Sequence, residues 1–152
     1  GEDYVVGQAV VRENTTLLTL CEGGYGKRTS IDEYRSQSRG GFGIKNIQTS
    51  KRNGRVVKIQ VVDEDRDVIL ITAGGMIIRT PIDEVRVIGR NTQGVKVINL
   101  KKDDRLLAGA VVERETEEDI VEGAEEDASA EGVSEAPEES PPEPEAETEA
   151  EE

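Results

Sequence analysis

Short apolar runs separated by polar, glycine-rich breaks fill the first 114 of 152 residues. Val57, Ile59 and Val61 alternate with Lys58 and Gln60, the period of two that a strand with one buried face requires. β-Branched residues, which suit a pleated, half-buried surface, dominate the other runs. Strands are therefore predicted at 17–21, 25–30, 43–48 and 55–62, and again at 68–72, 76–80, 95–100 and 105–112. Gly23-Gly24, Asn53-Gly54, Gly74-Gly75 and Asp103-Asp104 stand between them as turn signals. No helical period of apolar positions is sustained in this part of the chain, so the expected fold is all-β.

The pattern repeats. Shifting the sequence by 51 lays Gly23-Gly24 on Gly74-Gly75, Arg28-Thr29 on Arg79-Thr80, Ile31-Asp32-Glu33 on Ile82-Asp83-Glu84 and Lys45 on Lys96; between 23 and 47, 12 of 25 positions are identical. After a one-residue slip, 55–62 matches 105–112, and 4–11 reads as a third copy of that last element. Four strands per unit at a period near 50 point to propeller-type antiparallel blades. The expected organisation is the end of a preceding blade at 1–14, blade repeats at 15–64 and 65–114, and an incomplete ring. The opening Gly1-Glu2-Asp3 has no initiator Met and no basic-then-apolar leader, so a fragment of a longer protein is expected.

Charge divides the chain further. Of 33 acidic residues 18 lie in 115–152, which has no Lys or Arg; residues 1–114 keep 19 basic against 15 acidic, net +4. The acidic segment has no aromatic residue, holds four of the five prolines and is expected to be disordered, because it cannot bury enough apolar surface to offset chain ordering. As a flexible tether of 38 residues it would span about 35 Å, enough to reach a neighbouring basic rim. Within the folded part 23–58 carries net +7, and its counterpart 74–109 net +3. A basic rim of that kind attracts a duplex backbone, where affinity comes from neutralised phosphates. A solvated basic face with no partner would look the same.

Candidate chemistry is limited by what is missing. The chain has no His, which excludes His-ligated metals and Ser-His-Asp or Cys-His catalysis. The lone Cys21, in an apolar run, reads as a buried reduced thiol of a cytosolic protein. The longest nearly apolar stretch, 68–78, is too short for a membrane helix, which needs ~20 residues, and no membrane partner is expected. Asp32-Glu33 and Asp83-Glu84 point to opposite sides of an extended chain and are expected in turns or paired with Arg35 and Arg86. Gln37-Ser38-Arg39-Gly40-Gly41-Phe42-Gly43 could bring backbone N–H groups and an arginine fork to a phosphate, although an ordinary loop would need such glycines too. It lacks the Gly-Lys-Ser/Thr of a nucleotide loop. The basic residues assigned to a DNA backbone are Lys27, Arg28, Arg35, Arg39, Lys45, Lys51, Arg52, Arg55, Arg79, Arg90 and Lys96. Scarce aromatics disfavour base stacking on single strands.

Gly24-Tyr25-Gly26-Lys27-Arg28-Thr29, the 38–43 loop, Val87-Ile88-Gly89-Arg90-Asn91-Thr92-Gln93-Gly94-Val95 and the acidic end together resemble the C-terminal region of bacterial DNA gyrase A subunits. The resemblance implies the last two blades of a six-bladed β-pinwheel, in which neighbouring blades exchange strands. It implies wrapping of double-stranded DNA on a basic rim, in support of ATP-dependent negative supercoiling by an A2B2 assembly in the cytoplasm, on the chromosome. It further implies that ATP and Mg are used by other domains, with no cofactor, no metal and no catalytic residue here: Tyr4, Tyr25 and Tyr34 lack the neighbours of the family's catalytic tyrosine. Gln37, Arg39, Gly40, Gly41 and Gly43 match the family's wrapping box, while Ser38 and Phe42 replace two of its basic positions, as in a degenerate copy with a supporting role. The repeats also leave open a topoisomerase IV component or a protein-binding propeller of the kelch or chromosome-condensation-regulator kind.

Overall fold

In a computed structural model, which describes residues 4–115, the chain forms seven strands: β1 Thr16–Cys21, β2 Tyr25–Ser30, β3 Val56–Val62, β4 Arg66–Thr72, β5 Ile77–Pro81, β6 Val95–Lys96 and β7 Leu106–Glu113. The acidic stretch expected to be disordered lies outside the described residues, apart from its first residue. One-turn 3-10 segments follow β2 and β5 at Ile31–Glu33 and Ile82–Glu84, so both acidic pairs do sit in turns. Among the described residues only strands and these two turns are regular, and all strand pairs are antiparallel.

Each repeat builds the same three-stranded core. β1 lies between β2 and β3, with Leu18 opposite Arg28 and Gln60; β4 lies between β5 and β7, with Ile69 opposite Arg79 and Ala110. The register slips at Leu20/Cys21 on β1 and at Ile71/Thr72 on β4, positions that the 51-residue shift superposes. The predicted turns carry the backbone such turns require: Gly24, Gly54, Gly75 and Asp103 all have positive φ.

The fourth strand breaks the symmetry. β6 belongs to the second repeat but pairs with β2 of the first, Tyr25 opposite Lys96 and Gly26 opposite Val95, giving the order β3-β1-β2-β6; the second sheet has only β5-β4-β7. The crossing segment touches down earlier too, through a parallel bridge between Arg28 and Val87. Gly94 makes the crossing possible: a Cβ there would lie 2.9 Å from the Gly26 carbonyl oxygen, and φ is +82.

Two expected strands are absent. Residues 43–48 form none, although they share Gly, Lys and Ile with 94–98, because that counterpart finds its partner in the other repeat's β2 and no described residue plays that part for 43–48. Residues 4–11 are likewise unpaired and exposed. By analogy with β3 on β1, their partner would be a first strand of their own repeat, and no described residue supplies one.

The core runs through both repeats. Leu18, Leu20 and Val62 of the first pack with Val68, Leu70, Ile82, Val85, Ile98 and Leu106 of the second. Leu20 presses on the backbone of β7, where a Cβ on Gly109 would come within 2.5 Å of its Cδ1. Cys21, Tyr25 and Ile47 form a smaller cluster.

Candidate nucleic-acid interface

The eleven basic residues read from the sequence as backbone contacts separate into three groups. Arg35, Arg39, Lys45, Lys51, Arg55 and Lys96 are exposed and make no ion pair with a described residue. They lie on the connector between β2 and β3, on the turn that enters β3, and on β6. Connector 35–45 is open throughout: a Cβ at Gly40 or Gly43 would meet nothing within 4 Å, Phe42 is fully exposed, and Gln37 contacts Gly41 within the loop. The loop thus presents Arg39 to solvent, with an exposed apolar residue where a further cation would strengthen anion binding.

Lys27 and Arg28 belong elsewhere, which corrects their reading as rim residues. Lys27 is 0% exposed and Arg28 is 4% exposed. Lys27 Nζ donates to the carbonyls of Asn46, Gly89 and Arg90, each at 2.8 Å. Arg28 donates from Nε to the Val85 carbonyl and from an NH group to Glu64. Lys27 is consumed in holding the crossing segment and Arg28 in bonds to Val85 and Glu64, and their burial keeps both from a phosphate. Alternation along β2 buries both faces here, because the second repeat covers the face that the pattern leaves open.

Three others are partly engaged. Arg52 donates to the Tyr25 hydroxyl at 2.8 Å and lies over its ring, with its side chain still at the surface. Arg79 bonds Asp67 and the Glu113 carbonyl. Arg90 donates to the Lys45 carbonyl and lies over the Tyr34 ring, while its backbone N–H is held by Glu33. The acidic pairs therefore meet other arginines than expected: Glu33 serves Arg90, and Asp83 serves Arg114. Burial alone would raise the Asp67 carboxyl, but hydrogen bonds from Arg114 and Arg79 outweigh it and hold it below the usual range.

Sequence reasoning passed over Arg86, Lys101, Lys102 and Arg105, all exposed; their contribution to the +3 of the second repeat was the available signal. It also passed over Asn53, which is buried and bonds the Gln48 and Gln93 carbonyls while accepting from the Ser50 N–H, a tie between the repeats hidden inside an Asn-Gly turn signal. Among the described residues no cluster of His, Cys, Asp or Glu could hold a metal, and no helix is long and apolar enough to cross a membrane.

A profile described as "DNA gyrase C-terminal domain, beta-propeller" matches residues 16–63 and 66–113. The chain belongs to this family. Its two matched segments coincide with the two strand repeats, and the β2–β6 pairing is the strand exchange expected of a gyrase-type pinwheel. The DNA gyrase A protein of Mycobacterium leprae (strain TN) is 48% identical over 107 residues, 70% of this chain and 8% of that protein. Its Chlamydia pneumoniae counterpart is 38% identical over 126 residues, 82% of this chain and 15% of that protein. The chain thus spans a small part of the gyrase proteins it matches. Among solved structures, a DNA gyrase A C-terminal domain aligns with TM-score 0.62 and 30% identity, over 66% of this chain and 34% of that one. The C-terminal domain of DNA topoisomerase IV aligns with TM-score 0.64 but 18% identity, over 78% of this chain and 37% of that one, a likeness of fold alone. Sequence therefore favours gyrase over topoisomerase IV.

Proposed function

We propose that the chain is part of the duplex-DNA-binding and wrapping domain of a gyrase A protein. In this reading gyrase A works with gyrase B in an A2B2 assembly on the chromosome, and supercoiling draws on ATP and Mg bound by other domains. The exposed cations Arg35, Arg39, Lys45, Lys51, Arg55 and Lys96, on a scaffold of this family, carry the reading. In this reading their chemistry is phosphate neutralisation. Such contacts position a duplex without reading its sequence.

Binding should then weaken steeply with salt. Titration of a mixed-sequence duplex is expected to give a log–log slope of up to about −5 if all six cations meet phosphates, at about −0.9 per contact. Arg39→Ala and Lys45→Ala should each reduce the slope by about one, uniformly across sequences. A slope near zero would refute DNA binding and favour a protein-binding platform. The acidic segment 115–152, with 18 negative charges, is read as a competitor for the same cations. Its removal should raise duplex affinity and steepen the salt dependence, and no change in either would end that part of the reading.

A further inference from the structure

Lys27 sits where three stretches of chain meet. It projects from β2 toward its own repeat's connector at Asn46 and toward the second repeat's crossing segment at Gly89 and Arg90. Burying an ammonium costs several kcal/mol unless its protons find acceptors. Here all three are met at 2.8 Å, two by the crossing segment and one by the connector. The acceptors are themselves held in place. Asn46 accepts from the Tyr34 hydroxyl and donates to Thr19 Oγ1, and the Arg90 N–H is bonded by Glu33. Burial lowers Lys27 to about 8, with Glu33 working against that shift, so the side chain remains charged at neutral pH. In the second repeat the matching residue is Ile78, on β5, where no described segment crosses. The ammonium stands where the crossing segment supplies carbonyl acceptors, whereas Ile78 packs half-buried against the shared core.

We propose that Lys27 is the latch of the joint between repeats, a positioning residue whose ammonium locks the crossing segment 86–96 and the connector at Asn46 onto β2, and so fixes the lie of the cations they carry. The clause about the cations rests on the DNA reading above; the latch itself does not.

Amide hydrogen exchange on the intact protein carrying this sequence tests it, with Lys27→Met as a near-isosteric, uncharged variant. The joint is reported by the amides of Ile88 and Val97, which bond the Arg28 and Gly24 carbonyls, and of Gln48, which bonds Thr92. These should exchange about tenfold faster or more, while β4–β7 amides stay within about twofold of wild type. Unchanged joint amides, or equal acceleration everywhere, overturn the latch. Should the variant not fold, nitrogen-15 NMR of the wild type decides. A slowly exchanging Lys27 ammonium coupled to the Asn46, Gly89 and Arg90 carbonyls supports the latch, and a fast-exchanging one overturns it.

The DNA clause has its own readout, the linking-number change trapped when a bound circle is relaxed. Lys27→Met should trap about half as much or less, with duplex affinity kept within about threefold. Wild-type trapping with an opened joint overturns that clause. A wild-type protein that binds no duplex overturns the DNA reading and leaves the latch to the exchange data.

Discussion

Lys27-Arg28 and Arg39 are indistinguishable by charge, yet only Arg39 faces solvent. Arg28→Ala would leave the buried Val85 carbonyl without this donor, so it should cost about 1–3 kcal/mol in urea unfolding. Arg39→Ala should stay within about 0.5 kcal/mol while weakening duplex binding. The sequence showed which residues are basic but not which are covered, because the covering segment comes from some sixty residues further along the chain. Cys21 was legible: an apolar run buries it, and it is buried and free. Burial pushes its thiol up to about 11 against a small opposing effect of Lys27, so the unfolded chain, titrating near 9.0, loses this proton first. The stability Cys21 contributes is whole below pH 9 and is lost as pH climbs toward 11. The stability difference between wild type and Cys21→Ala, followed by urea unfolding, should shrink across that window.

Strand positions were legible where a repeat pairs with itself, and illegible where it pairs with another. β1 to β5 and β7 follow from local alternation and turn glycines. Residues 43–48 and 94–99 share Gly, Lys and Ile at matching positions, but only the latter contributes strand residues, since a strand exists by virtue of its partner. The two glycines that open these stretches make the contrast measurable. Both have positive φ, which costs an alanine about 1–2 kcal/mol. Gly94 also abuts the Gly26 carbonyl oxygen, whereas Gly43 meets nothing within 4 Å. Gly94→Ala should therefore destabilise by at least about 1 kcal/mol more than Gly43→Ala in the same denaturation experiment.

For the molecule as a whole, the net charge of −14 misrepresents residues 1–114, which carry +4. The two repeats share one core, and the first sheet is completed only by the second repeat. A fragment ending at residue 64 would lose the crossing segment, two of the three acceptors of Lys27, and the second-repeat partners of Leu18 and Leu20. It should be insoluble or aggregate through the bare β2 edge, as size-exclusion chromatography would show, while a fragment ending at 114 stays soluble.

The β2–β6 crossing also sets where such a protein can be lengthened. A unit inserted whole, from one connector to the next, supplies both a platform for the segment that follows it and a crossing segment for the platform before it. Every sheet on either side keeps its neighbour. A cut inside a unit does neither. The natural increment of this architecture is therefore a period of about fifty residues counted from mid-connector, offset from the sheets themselves, and duplication in that frame extends the array without creating a raw edge at the junction.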